Sequence, residues 1–184
     1  MKKAIIVTNI IFLNSLFCVG QDIVPAPANK AVIYFVRTSS LGFAINFSYF
    51  DSAKLIGRFN GPKYIRYECD PGPHLFWARS ENKDFIEADV EAGKIYFIEA
   101  VPQMGGFTTG VKLHPINPKD EKKLDKVLKL LNKKPSETFT AEEIENDTKE
   151  LAEVITKGLE KNKEERQKGK TIERLEKTMY YNNQ

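Results

Sequence analysis

The chain has 184 residues, enough for one domain and a modest appendage but short for two full domains. Its 41% hydrophobic and 29% charged residues are typical of a soluble globular protein, and they exclude disordered, collagen-like and polytopic membrane classes. The net charge of +3 includes two lysines in the first three residues, so the charge does not indicate nucleic-acid binding. Two cysteines and two histidines are too few for a disulfide framework or a multi-ligand zinc site.

Residues 1–20 have the three parts of a secretory signal peptide. A cationic start precedes an apolar run over 4–19, and residues 18–20 place small side chains at the −3 and −1 positions ahead of Gln21. The run of about 16 residues is short for a bilayer span, which needs roughly 20. We therefore predict export to the periplasm or beyond, with no transmembrane span after leader removal. A retained membrane anchor is the alternative.

Cys18 raises a second alternative, which is lipid attachment after cleavage in front of it. Bacterial lipoprotein signals place small residues directly before the cysteine, whereas Phe17 precedes it here. An envelope lipoprotein tethered through Cys18 is therefore the less favoured form. If cleavage follows Gly20, Cys69 is the only cysteine left, and its alternation with apolar neighbours predicts a buried structural thiol.

Residues 30–116 predict a mainly β domain, an antiparallel β-sandwich of about 7–8 strands. Short apolar or alternating runs recur at intervals of roughly 8–12 residues, separated by turn signals such as Asp70-Pro71-Gly72-Pro73. Local connections of this kind favour antiparallel pairing. The predicted strands are 31–38, 44–50, 55–59, 64–69, 75–80, 85–90, 95–101 and 107–113.

Residues 117–184 predict a charged helical extension with two helices, about 118–132 and 140–160, followed by a polar tail. Asn117 before Pro118 suggests the first N-cap, and Thr140 with Glu143 forms a capping box for the second helix. We expect the helices to fold back over a sheet face or edge; the alternative is projection toward a partner helix or a membrane surface. We also expect the sandwich to fold without residues 118–184.

The turn and strand motifs resemble a bacterial family, the small exported proteins classed as domain-of-unknown-function family 2846. The matching segments are residues 31–37, Gly57 leading to Asn60-Gly61, Pro71-Gly72-Pro73-His74 and residues 91–98. The resemblance covers about residues 30–114 and implies a prealbumin-like or carboxypeptidase-regulatory-type β-sandwich that is exported or lipid-anchored. It implies no catalytic residues.

Few residues offer chemistry. His74 and His114 are the only histidines, and a metal site would need them to converge with an acid such as Asp70 or Glu99. The sequence has no Gly-x-Ser-x-Gly motif, so the segment around Ser39 is interpreted as a loop. We expect no catalytic, cofactor-binding or metal-binding residues, and no enzyme activity.

Aromatic side chains are abundant, with twelve Phe and seven Tyr. Packing between two sheets explains most of them. Tyr64 and Phe85 occupy the outward phase of their predicted strands, so they are the candidates for an exposed ligand-binding patch. The aromatics that concentrate in the predicted sandwich are Phe43, Phe47, Tyr49, Phe50, Tyr64, Tyr67, Phe76 and Trp77.

Together these observations predict an exported, non-catalytic binding or structural module of the bacterial cell envelope, whose ligand and partner the sequence leaves open. The alternative is a small-ligand carrier for lipid, glycan or peptide. A carrier predicts a dry pocket between the sheets, whereas a module predicts a filled core and an outward patch. A metal-dependent hydrolase is the third and least favoured hypothesis. We expect no cofactor and no nucleic-acid partner, and a membrane tether only through a lipidated Cys18.

Overall fold

A computed structural model describes residues 23–105 and 108–182. The predicted leader, with Cys18, lies outside these residues, as does the predicted start of the last strand at Phe107. The described strands are β1 (Ala31–Arg37), β2 (Phe47–Asp51), β3 (Lys54–Phe59), β4 (Lys63–Cys69), β5 (Gly72–Arg79), β6 (Lys83–Val90), β7 (Ile95–Gly105), β8 (Thr108–Pro115) and β9 (Glu173–Leu175). The helices are α1 (Glu121–Lys133), α2 (Ala141–Glu150) and α3 (Ala152–Gln167).

The predicted mainly β sandwich is confirmed. One sheet has the strand order β4-β1-β7-β8 and the other the order β3-β2-β5-β6-β9. Pairing is antiparallel except for β1 with β7 and β6 with β9, which run parallel. The described residues thus form nine strands rather than seven or eight, because the C-terminal segment adds β9 to the edge of the second sheet.

The space between the sheets is filled by aromatic and aliphatic side chains from both. The Phe35 ring of β1 meets Phe76 edge-on at 5.4 Å and Tyr49 at 5.6 Å, and Tyr49 stacks on Phe59 at 4.8 Å. The predicted buried thiol is confirmed, since Cys69 is a free, buried cysteine in the same cluster. This interdigitation is what two alternating strand faces should produce when they pack together.

The outer faces of both sheets are also apolar, and the helical extension covers them. Helix α1 buries Val127, Leu130 and Leu131 against the outer face of the first sheet. Helix α3 crosses the second sheet, where Gly158 lies so close to Trp77 that an added Cβ would be 2.5 Å from the indole. The prediction that the helices fold back over the sheets is confirmed.

The predicted boundaries of the extension need three corrections. Asp120, not Asn117, caps α1, because Asn117 instead closes the preceding turn. The capping box of Thr140 is confirmed, but the helix predicted over 140–160 is two helices that meet at the buried Leu151. The tail after residue 160 is not purely polar, since α3 continues to Gln167 and β9 places Leu175 in the core.

The β2 strand begins at Phe47, three residues later than predicted. Residues 41–45 form turns instead, although Ile45 and Phe47 alternate as a strand would. The cause is the last residue of β1, Arg37, whose side chain holds this loop in place.

Candidate functional site

A buried arginine organises the loop between β1 and β2. Strand β1 is buried along its whole length, and its final residue, Arg37, is completely inaccessible to solvent. The guanidinium donates hydrogen bonds to the carbonyl oxygens of Leu41 at 2.6 Å, Gly42 at 2.7 Å and Ile45 at 2.8 Å. It therefore fixes both halves of the loop from beneath.

Arg37 is compensated by dipoles and a ring rather than by an acid. No carboxylate within residues 23–105 and 108–182 forms an ion pair with it, and its Nε has no hydrogen-bond partner there. The guanidinium carbon lies 4.1 Å from the centre of the Phe47 ring, a cation–π contact. Burial lowers the pKa of Arg37, since a charge in a poorly solvated site is costly. Burying a cation that has no acidic partner among the described residues costs free energy of folding. The loop shape that Arg37 holds therefore calls for an explanation beyond stability.

Hydrogen bonds within the loop pair further backbone groups. Ser39 Oγ accepts from the Leu41 N–H at 3.1 Å, and Gly42 O accepts from the Ile45 N–H at 2.9 Å. Gly42 has φ +60°, where a side chain is disfavoured, and an added Cβ would also press on Thr109 Cγ2 at 3.0 Å. The loop is thus clamped between Arg37 and strand β8.

This clamped loop displays apolar side chains to solvent. Leu41 is 44% exposed and Phe43 is 69% exposed. Met104, in β7 at the same end of the sandwich, is 65% exposed, and the Thr109 hydroxyl contacts its sulfur at 3.8 Å. We call these three side chains, Leu41, Phe43 and Met104, the apolar tip. Exposed apolar side chains presented by an ordered loop and the neighbouring strand are typical of interaction surfaces.

The two residues predicted to form an exposed aromatic patch are buried. Tyr64 and Phe85 do point outward from their sheets, as the alternation indicated, but α1 packs near Tyr64 and α3 packs near Phe85. The prediction was wrong because it treated the outer sheet faces as solvent-facing. Among the aromatics singled out from the sequence, Phe43 is the exposed one.

The two histidines, whose convergence a metal site would have required, lie in different sheets. His74 lies on β5 in the second sheet and contacts Asp51, whereas His114 lies on β8 in the first sheet and contacts Glu173 at 3.1 Å. Among the described residues, no group of three or more His, Cys, Asp or Glu side chains is arranged to hold a metal ion.

His74 acts as a structural clamp. Its Nδ1 is 2.8 Å from Asp51 Oδ2, its Nε2 is 2.8 Å from the Asp70 carbonyl, and its ring stacks on Phe76 at 5.1 Å. The hydrogen bond to Asp51, followed by that to the Cys69 side chain, raises the pKa of His74 to about 10. An imidazole that stays charged at neutral pH with both nitrogens engaged is poorly suited to accept a proton from a nucleophile.

We expect His74→Gln to lower the free energy of unfolding by about 2 kcal/mol below pH 6.5, the ordinary pKa of histidine. Because folding raises this pKa, the stabilisation is complete below 6.5 and is lost as the pH rises through about 10. Urea unfolding of the native protein and of His74→Gln, below pH 6.5 and again above pH 10, measures the difference in the free energy of unfolding. An equal difference in the free energy of unfolding at the low and the high pH would contradict this role of His74. His114→Gln, which removes a half-exposed ring, is the control.

Comparison of the chain with protein-family models, with curated proteins and with solved structures finds no match. The resemblance to family 2846 therefore stays a prediction made from the sequence motifs. No described helix is both long and apolar enough to cross a membrane.

Proposed function

We propose that this chain is an exported, non-catalytic β-sandwich protein of the bacterial cell envelope that serves as a binding or structural module through its apolar tip. The single observation that carries the proposal is Arg37, a fully buried cation that pairs with no carboxylate of the described residues and shapes a loop exposing Leu41 and Phe43. A loop needed only to connect β1 and β2 has no reason to present large apolar groups on a scaffold this costly.

The packing favours a module over a carrier. The rings that would line a carrier's groove instead contact one another between the sheets, as in the pair Phe35 and Phe76 at 5.4 Å. An open groove of about 400 Å³ does lie at the β3–β4 edge, with Ile65 and Phe139 among its lining, but it is shallow and faces solvent. A filled core with an outward patch is the pattern expected of a module.

Native mass spectrometry of the protein recovered from its own envelope tests the proposal. We expect an associated lipid or protein mass on the native chain, its loss from the Leu41→Ser, Phe43→Ser double variant, and its retention in Val24→Ser, which alters a 56% exposed side chain outside the apolar tip. The denatured mass should start at Gln21. A bare monomer, or a full-length chain in the cytoplasm, would contradict the proposal.

A further inference from the structure

The hydrogen bonding of the loop suits it to a lipid interface. In the apolar part of a bilayer a backbone N–H or C=O without a partner costs several kcal/mol, so loops entering it must be satisfied internally. Here Arg37 occupies the carbonyls of Leu41, Gly42 and Ile45, and Ser39 occupies the N–H of Leu41. Immersing the apolar tip therefore adds little desolvation cost for these groups.

A row of lysines lies beside the loop on one side. Lys126, Lys129 and Lys133 of α1, together with Thr38 and Ser39, line an open cavity of about 460 Å³ directly before the apolar tip. Lys129 pairs with an acid on its own helix, whereas the other two lysines form no ion pair with any described residue. The next residue of the chain, Lys134, donates a hydrogen bond from Nζ to the Pro62 carbonyl in the β3–β4 turn.

A second group of cations lies on the opposite side. Lys83 begins β6, and its pKa is lowered by burial and by the nearby charges of Lys161, Arg79 and Lys157. The β5–β6 turn beside it is tied to β8 near the apolar tip, with Ser80 Oγ donating to the Thr109 carbonyl at 2.5 Å. Acids are interspersed, as Glu153 and Glu165 pair with two of the lysines and Glu81 lies in the turn.

We propose that the apolar tip docks onto the surface of an anionic phospholipid bilayer. Leu41, Phe43 and Met104 enter the interfacial region while Lys126 and Lys133, which pair with no described acid, contact headgroup phosphates. Apolar insertion combined with flanking cations is how peripheral proteins hold to anionic membranes, where each cation near the surface contributes about 1 kcal/mol. Exposed apolar side chains next to lysines that pair with no described acid fit a flat, anionic surface better than a groove on a protein. This inference rests on the proposed function and names the surface that the same site binds.

Sedimentation with vesicles tests it, using the processed chain from Gln21, which retains every described residue. We expect binding to mixed phosphatidylglycerol and phosphatidylcholine vesicles and little binding to phosphatidylcholine alone. Phe43→Ser should weaken binding about 10-fold or more, because burying a phenylalanine contributes about 1.5–3 kcal/mol. Lys126→Gln with Lys133→Gln should weaken it about fivefold per lysine and reduce its salt dependence.

Matched controls make the test specific. Val24→Ser removes an exposed apolar side chain elsewhere, and Lys177→Gln removes a lysine that pairs with Asp89 at the other end of β6, so both should bind vesicles as the native chain does. The buried Trp77 provides a fluorescence check that each variant is folded. Phe43→Trp should show a blue-shifted emission when anionic vesicles are added.

Two results would overturn the inference. One is equal binding to neutral and anionic vesicles that Phe43→Ser does not change. The other is absence of vesicle binding while native mass spectrometry still finds a protein associated through the apolar tip. In the second case the binding-module function stands and its partner is a protein, whereas loss of both associations removes the proposed function as well.

Discussion

Deletion of residues 118–184 should leave a product that does not fold cooperatively, contrary to what the sequence alone suggested. The extension covers two apolar sheet faces at once: α1 lies on Tyr34 and Phe97, and α3 lies on Trp77 and Phe85. Strand β9 adds the completely buried Leu175 to the core between the sheets.

The free energy lost when the two sheet faces are uncovered is large enough to unfold the domain. Each large side chain returned to water costs about 1.5–3 kcal/mol, so uncovering both faces costs on the order of 10 kcal/mol. That equals the whole stability of a typical domain, about 5–15 kcal/mol. Circular dichroism and urea unfolding of the truncated chain measure the effect, with removal of residues 183–184 alone as the control. A soluble, cooperatively unfolding 1–117 or 21–117 fragment would contradict this account and restore the modular division.

Replacing Arg37 with methionine should lower the free energy of unfolding by about 3 kcal/mol and release the loop between β1 and β2. Methionine fills a similar volume but donates no hydrogen bonds, so the carbonyls of Leu41, Gly42 and Ile45 lose the bond from the guanidinium, and among the described residues only the Gly42 carbonyl keeps a second bond, from the Ile45 N–H. Relief of the buried, unpaired charge offsets part of this loss, which is why the expected cost is below the sum of three broken hydrogen bonds. Urea unfolding measures the stability.

Arg37→Lys separates charge from geometry. Lysine keeps the cation but is a single ammonium group, so it cannot reach three carbonyls as the planar guanidinium does. We expect it to be nearly as destabilising as methionine. A lysine variant as stable as the native protein would show that charge alone is sufficient, and would remove the role assigned to the guanidinium fork.

Most strands were predictable from the sequence because alternation and turn chemistry act locally. The turn at Asp70-Pro71-Gly72-Pro73 separates β4 from β5 where its residues indicated, with Gly72 at positive φ. Strand β9 was not predictable, since three residues carry too little pattern to distinguish a strand from a polar tail. Its pairing with β6 depends on where α3 delivers the chain, which is a tertiary effect.

The candidate site was only partly predictable. Alternation correctly placed Tyr64 and Phe85 on outer sheet faces, but the apolar stripes of the helices were the signal that those faces would be covered. Arg37 offered a clue as a lone cation ending an apolar strand. Its bonds to the next loop could not be inferred, because they depend on a turn conformation that the alternation of residues 45–49 obscured.

Hydrogen exchange across residues 38–46 tests most directly the central claim that Arg37 holds a preformed, solvent-facing binding loop. The Leu41 and Ile45 amides, bonded to Ser39 Oγ and to the Gly42 carbonyl, should exchange slowly in the native protein although Leu41 itself is exposed. In Arg37→Met both should exchange quickly while the amides of β1 stay protected. Fast exchange at both positions in the native protein would contradict the account, since the loop would then have no fixed shape for Arg37 to impose.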